Sequence, residues 1–330
     1  MKALKYILIL GLALLLALGG YLAWQILMPL DSQQIVLRVE SGDNARTIAQ
    51  RLAQNKIIRS RELFLLLAKW RGTDRKLQAG AYSFGGHYNL NQTLRLLEDG
   101  NTEAIRITIP PGFSMFQVLR RIERSGLASY DSLYARATDP AFVNQLTGFA
   151  LPSLEGWLFP DTYSYDIATP VDTLLALPVR NFLRKAKAAG LDPQATPDFQ
   201  SKLTLASIVE KESAHPDERV IIAGVYLNRL RKGMRLESCP TVDYILERRG
   251  ISRTVLLNSD LAIENPYNTY RNDGLPPGPI CNPSLESLQA VINPQPNNFL
   301  FFVSNRKGRN DFSATYQEHL SKKRKYERGG

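Results

Sequence analysis

The longest uninterrupted apolar stretch of the chain is Tyr6–Leu27, where Gln25 is the only strongly polar side chain. As a helix, its about 22 residues reach about 33 Å, enough for the ~30 Å hydrocarbon layer of a bilayer. A cleavable secretory signal is the competing reading, since Ala17-Leu18-Gly19 passes for a cleavage site. Such a signal has an apolar core of only ~7–15 residues, and here the run continues past that site. Lys2 and Lys5 precede the span, while Asp31 follows it and no basic residue comes before Arg38. The positive-inside bias therefore predicts a cytoplasmic amino terminus and a single pass through the inner membrane, with everything after about Pro29 outside it.

Beyond the span the pattern turns to short alternating and helical segments. Ile35-Val-Leu-Arg-Val39 reads as a strand, Ser41-Gly42-Asp43-Asn44 as a turn, and Ala45, Ile48, Ala49 and Leu52 recur at helical spacing. A helix over Glu62–Trp70, a strand over Ala81–Phe84, a helix over Asn91–Glu98 and a closing strand over Ala104–Ile109 complete a small α/β module at 31–109. Its strand, Ser-Gly-Asp-Asn turn and Ile-Ala…Leu helix resemble a LysM-like glycan-binding module; a spacer is the alternative. Pro110-Pro111-Gly112 then opens a helical connecting region at 110–200, with helices near Met115–Ser125, Asp131–Ala137 and Asp172–Ala189 around an aromatic loop at Leu154–Tyr163. Residues 201–330 read as a mixed α+β domain: helices over Leu203–Glu212 and Asp217–Arg231, a Gly/Pro loop over Pro266–Pro283, a buried strand over Phe299–Val303, and a solvated or disordered basic tail at Lys322–Lys325. The fold class is thus α+β: a transmembrane helix (1–30), the small module, and a mixed catalytic domain.

Composition narrows the chemistry. Two cysteines exclude a disulfide-framed miniprotein and a four-cysteine zinc site, and His87, His215 and His319 form no paired metal-binding motif. Neither glycine-rich nucleotide fingerprint occurs, so no metal or cofactor is called for. The net charge is +10, and removing Lys2 and Lys5 leaves +8 for the exported part. That suits anionic lipid or an acidic wall polymer, or plain solubility, and nucleic acid is not an expected partner outside the membrane. In such a compartment Cys239 and Cys281 are able to pair.

The remaining chemistry rests on carboxylates. At ~100° per residue, Leu205, Ile208, Val209 and Glu212 share one helix face, while Glu210 lies about 200° from Glu212. A carboxyl on an apolar stripe is desolvated, which raises its pKa and suits it to protonating a glycosidic oxygen. The bland alternative is that Glu212 caps a helix pair or salt-bridges Arg219 or Arg229. Glu210 reads as exposed, pairing with Lys211 or Arg219, and Glu218 as compensating a helix dipole. Tyr267, Asn268, Thr269 and Tyr270, on the proline-stiffened loop, offer ring faces, an amide and hydroxyls of the kind a sugar binds; an ordered structural loop is the alternative.

Several motifs in order resemble the YceG-like (MltG) endolytic murein transglycosylases. They are Glu155-Gly-Trp-Leu-Phe-Pro-Asp-Thr162, Ala206-Ser-Ile-Val-Glu-Lys-Glu-Ser213, Glu218-Arg219, Gly224-Val-Tyr-Leu-Asn-Arg-Leu230, Gly233-Met-Arg-Leu236, Pro240-Thr-Val242, Tyr267-Asn-Thr-Tyr270 and Gly274-Leu-Pro-Pro-Gly-Pro279. The resemblance puts the catalytic glutamate on Glu212. It implies cleavage of the MurNAc–GlcNAc β-1,4 bond of peptidoglycan strands with a 1,6-anhydro-MurNAc end, ending strand growth, and partners among peptidoglycan synthases or division proteins. A water-using muramidase and a non-catalytic glycan-binding scaffold are the alternatives. Glu155 and Glu218 join the tyrosine loop as substrate-positioning or structural candidates. Two departures stand out: Glu237-Ser238-Cys239-Pro240-Thr241 replaces the family's Gln-Thr-Asp-Pro-Thr, and Arg309-Asn310-Asp311-Phe312 lacks the histidine of Gly-His-x-Phe.

Overall fold

A computed structural model describes residues 2–40, 42–100, 104–167, 169–213, 215–305 and 308–328. Ser41 of the expected turn lies outside them, as do the side chains of Lys2, Lys5 and Asp31. The chain is mixed α+β and divides into two compact units, one of residues 1–105 and 164–169, the other of 106–163 and 170–330. Apart from 164–169, the stretches 110–200 and 201–330 both fall in the second.

The first unit begins with α1 (Lys2–Leu27). Within it Ile9–Leu27 is long and apolar enough to cross a membrane and is not buried by the rest of the protein. Next come β1 (Leu30–Val39), α2 (Ala45–Gln54), α3 (Arg61–Trp70), β2 (Gly80–Tyr88) and α4 (Leu90–Asp99). β1 and β2 pair antiparallel, Leu37 opposite Tyr82 and Ile35 opposite Phe84, with an irregularity between Ser32 and Ile35. Alternation along β1 buries Leu37 and Val39 against Ile48, Leu52, Phe64, Phe84, Leu94 and Leu97. Asn44 starts α2 by accepting the Thr47 N–H at 3.0 Å, and Asn89 and Gln92 form a reciprocal capping box on α4.

Two short strands, β3 (Ile105–Thr108) and β4 (Thr162–Tyr165), carry the chain between the units. β3 does not join the β1–β2 sheet, so the expected closing strand exists but does not close that module. The second unit contains α5 (Met115–Arg124), α6 (Tyr130–Ala137), α7 (Pro140–Thr147), α8 (Val171–Ala188), α9 (Phe199–Glu212), a 3-10 turn (Pro216–Glu218), α10 (Arg219–Arg231), α11 (Cys239–Arg248), α12 (Asn258–Leu261), α13 (Leu285–Ile292), β5 (Phe301–Ser304), β6 (Asn310–Ser313) and α14 (Tyr316–Arg328). Its centre is Trp157, fully buried with ring centroids 5.3–5.8 Å from Phe149, Phe182 and Phe199. Gly156 lets this motif approach the proline loop: it has φ +84°, and a Cβ there would meet Pro279 at 2.7 Å.

Three expectations need correction. β5 is half-buried rather than buried, in a sheet where, among the described residues, it pairs with β6 alone. The basic tail is helical, as part of α14, tied down where Lys322 donates to the Phe312 carbonyl and Tyr326, one turn on, to Asp311, while Lys323, Arg324 and Lys325 are exposed as a solvated tail would be. The 110–200 region holds one helix more than expected, α7, with Asp139 as its cap and Pro140 in its first turn.

Candidate active site

α9 runs through the middle of the second unit, packed by α10, α11 and α13. The Leu205/Ile208/Val209 stripe is buried, but so are Leu203, Ala206, Ser207 and Glu210 on the opposite face. From Leu203 to Glu210 the helix is therefore enclosed on every side, while Lys211 is exposed. Glu210 is not exposed: its carboxylate accepts from Ser284 N–H at 2.9 Å, Ser284 Oγ at 2.5 Å and Ser287 Oγ at 2.7 Å. Its pairing with Arg219, at 3.1 Å, is likewise internal. This cluster fixes the start of α13, whose cap is Ser284.

Glu212 ends α9. Ser213 takes an extended conformation and donates its N–H to Val209, which stops the helix before Pro216. Glu212 keeps a partial opening to solvent, yet its carboxyl lies in dense protein. Oε1 accepts two hydroxyl bonds, from Tyr226 Oη at 2.8 Å and Ser238 Oγ at 2.7 Å. Burial pushes its pKa up and the two hydroxyls pull it partly back; the charge of Asp243 adds to the rise. Neither arginine suggested by the sequence bonds to it. Arg219 is taken by Glu210, and Arg229 is spent on Glu237 and the carbonyls of Arg235, Leu236 and Leu300.

Both hydroxyls are themselves held. Tyr226 is buried on α10, its phenol pushed well above its ordinary pKa first by burial and then by the neighbouring Glu212 charge, so it remains a donor. Ser238 occupies the cap position of α11 but makes no capping bond, its hydroxyl being turned to Glu212 instead. Glu237 before it sits at φ +50°, a left-handed conformation costly for a side-chain-bearing residue. Thr269 holds this turn: its carbonyl accepts Glu237 N–H at 3.1 Å and its Oγ1 accepts Ser238 N–H at 3.0 Å. Thr241 closes the set, 3.0 Å from Thr269 Oγ1 and donating to the Ser238 carbonyl at 2.7 Å.

The other sequence candidates occupy different places. Tyr270 is half-exposed near the acid, its hydroxyl 3.1 Å from Cys239 Sγ. Asn268 is fully buried, its amide donating to the Leu261 and Ile263 carbonyls and accepting from Tyr270 N–H. Tyr267 packs its ring 5.0 Å from Tyr244, whose hydroxyl donates to Glu155 at 3.2 Å. Glu155 also accepts Met115 N–H at 2.8 Å, and burial pushes its pKa to about 8. Glu218 is buried and accepts both the backbone and side-chain N–H groups of Asn310, at 3.0 and 2.8 Å. The residue standing where the resembled family has histidine is thus a donor to Glu218. Of the candidates, only Thr269 and Tyr270 come together with Glu212. The thiols of Cys239 and Cys281 are free, one exposed and one buried.

A cleft of about 240 Å³ opens next to this cluster, lined by Lys211, Pro240, Asp243, Tyr244 and Glu247 among others. Glu212 is not in its wall, but Lys211 precedes it on α9, and Pro240 and Asp243 belong to the helix that Ser238 begins. Tyr226, Ser238 and Thr241 were not singled out from the sequence, although each lies in or beside a quoted motif.

The YceG-like family model matches residues 37–325. An endolytic murein transglycosylase of Bacillus subtilis (strain 168) is 31% identical over 316 residues, covering 90% of this chain and 86% of that protein. One of Streptococcus pneumoniae (serotype 2, strain D39) is 29% identical over 353 residues, covering 92% of this chain, which spans 62% of that longer protein. A crystal structure of a yceG-like protein from Listeria monocytogenes superposes with a TM-score of 0.59 at 29% identity, over 88% of this chain and 98% of that one.

Proposed function

For a chain that belongs to the YceG-like family, we propose the activity named for its relatives, endolytic cleavage of murein, with Glu212 as its single acid–base group. The arrangement at Oε1 supports this most directly. Two hydroxyls already donate to that oxygen, so when the carboxyl is protonated its proton sits on Oε2, free to be given to substrate. Glu212 gives this proton to the glycosidic oxygen as the C1–O bond breaks. It then takes a proton from the sugar's own C6 hydroxyl, whose oxygen closes on C1 to leave the 1,6-anhydro end. The acid is regenerated and no water is consumed. Intramolecular attack gains from enforced proximity and needs no second carboxyl at the ~5 Å or ~6.5–9.5 Å separation of a hydrolase.

Tyr226 and Ser238 orient the acid in both protonation states, and Thr269 positions Ser238. Tyr270 offers its ring and hydroxyl to the glycan. Glu155, Glu218, Tyr267 and Asn268 act on substrate through the loops and strand they hold. Residues 1–30 anchor the enzyme with its amino terminus in the cytoplasm and its activity outside the inner membrane, near the synthases and division proteins that make new strands. The order strand–helix–helix–strand supports reading 31–109 as a LysM-like glycan module, with 110–200 connecting it to catalytic residues in 201–330. The test is product analysis of purified peptidoglycan digested by wild type and Glu212→Gln. Wild type should release muropeptides one water lighter than the reducing forms, and the variant should bind strands without cutting them. Full activity in Glu212→Gln, or reducing ends only, overturns the mechanism; the latter would point to Asp243 as base for a bound water.

A further inference from the structure

The first unit carries an apolar face at the edge of its core: Ile26, Leu63 and Leu67 pack partly buried against that core, while Leu66 and Trp70 stand outside it. α3 buries Phe64 and Ala68, four residues apart. Leu63, Leu66, Leu67 and Trp70, spaced by three, four and seven, form a second apolar stripe on a different side of the same helix. Leu66 is 63% exposed and Trp70 82% exposed. Together with Ile26 from the last turn of α1, this stripe lines an open apolar hollow of about 350 Å³. A module surrounded by water places polar side chains on such a face.

The junction with α1 says what covers it. Ile26 packs against the core of the unit. Asn89 donates to the Leu27 carbonyl at 3.2 Å, and Arg59 donates to the carbonyls of Met28 and Pro29 while its guanidinium lies 4.9 Å over the Trp24 ring. The end of α1 is thereby fixed to the module, not joined through a free linker. Trp24, Leu27 and Met28 are exposed at the same end, so the apolar surface of α1 continues without a break into the stripe on α3. Tryptophan favours the headgroup level of a bilayer. Lys69, exposed beside the stripe on α3, suits anionic headgroups.

We propose that the Leu63/Leu66/Leu67/Trp70 face of α3 is a lipid-docking surface, seated in the interfacial layer of the same bilayer that α1 crosses. It rests on the reading of α1 as a membrane anchor. The module then lies down on the membrane instead of standing off it, held by α1 and α3 together.

Bromolipid quenching of tryptophan fluorescence tests this on the full chain, one copy per nanodisc, in phosphatidylcholine with phosphatidylglycerol. The protein has three tryptophans, and Trp157, buried in the second unit, serves as the unquenched reference. Trp24→Phe isolates Trp70 against that reference, and Trp70→Phe isolates Trp24. The expected result is Trp70 emission quenched several-fold more than Trp157, most strongly by lipids brominated near the headgroup. Quenching of Trp24 without quenching of Trp70 overturns the proposal and leaves the anchor standing; loss of both removes the anchor as well. Trp70 shielded from aqueous iodide yet untouched by bromolipid would mean that protein covers the face, which also overturns it.

Discussion

Replacing Ser238 by alanine deletes one of the two hydroxyl bonds on Glu212 Oε1 without enlarging any side chain. Both bonds favour the ionised carboxylate and oppose the upward push of burial. A hydrogen bond to a charged group is worth ~1.5–3 kcal/mol, or roughly one to two pH units at ~1.4 kcal/mol per unit. Glu212 is partly open to solvent, so water replaces some of the loss and the expected rise is about one unit. The sign follows from the role. In the proposed mechanism the reaction starts from protonated Glu212, so its rate falls as pH climbs through that pKa. In Ser238→Ala the descending limb of kcat/KM against pH moves to higher pH by about one unit, because that limb reports the free enzyme. The plateau drops roughly ten- to hundredfold as the carboxyl loses its orientation. Ser238→Thr, which keeps a hydroxyl, leaves the limb in place. The assay is release of anhydromuropeptides from purified sacculi across pH 5–9. A lowered plateau with an unmoved limb would refute the reasoning, since it would mean that Ser238 merely shapes the turn after Glu237.

Glu155→Gln tests the second buried acid. Its pKa of about 8 in the folded chain, against an ordinary 4.5, means that the native state holds a proton the unfolded chain releases between those values. Wild type therefore loses stability as pH rises through that window, and the Tm of the variant relative to wild type should climb from pH 5 to pH 9; a constant gap contradicts this. Glu210→Ala strands Arg219 in the interior and should cost about 3–5 kcal/mol in denaturant unfolding, while a Glu210→Leu, Arg219→Met double variant recovers much of the loss. A single variant within about 1 kcal/mol of wild type would show the cluster to be dispensable. Alkylation followed by intact mass should add one label to the native protein, at Cys239, and two after unfolding, since Cys281 is buried with its thiol against the Ser207 carbonyl at 3.2 Å. A mass two hydrogens lower and no label would reveal a disulfide.

Elements with one buried face were legible in the sequence. In α2 only Ile48, Ala49 and Leu52 are buried, and their spacing by one, three and four stands out against arginines and glutamines. α11 was not legible. It begins Cys239-Pro240, continues with Thr241, and buries six of its ten residues, so neither its start nor its period resembles an amphipathic helix. The tail was legible only in part. Four consecutive basic residues look solvated, as Lys323, Arg324 and Lys325 are, but only the fold brings Lys322 and Tyr326 onto β6. The bonds that shape the site are equally long-range: Tyr226 and Ser238 follow Glu212 by 14 and 26 residues, and Ser284 follows Glu210 by 74.

The two glutamates of α9 show what the helical wheel could and could not decide. A separation of two residues turns them about 200° apart, and in an amphipathic helix one would face water. Because α9 is enclosed, both go inside, and their partners separate their roles. Glu210 meets Arg219 and three further donors, a full set for a buried carboxylate. Among the described residues no cation bonds to Glu212, since the nearby Arg229 donates elsewhere and acts on it only at a distance, and only one of its oxygens is satisfied by donors. Desolvation, opposed only weakly by the charge of Arg229, favours the protonated form, and a one-sided set of donors decides which oxygen carries the proton. The wheel picked out Glu212 through its apolar stripe, but what sets it apart from Glu210 in the structure is a carboxyl to which no arginine hydrogen-bonds among the described residues.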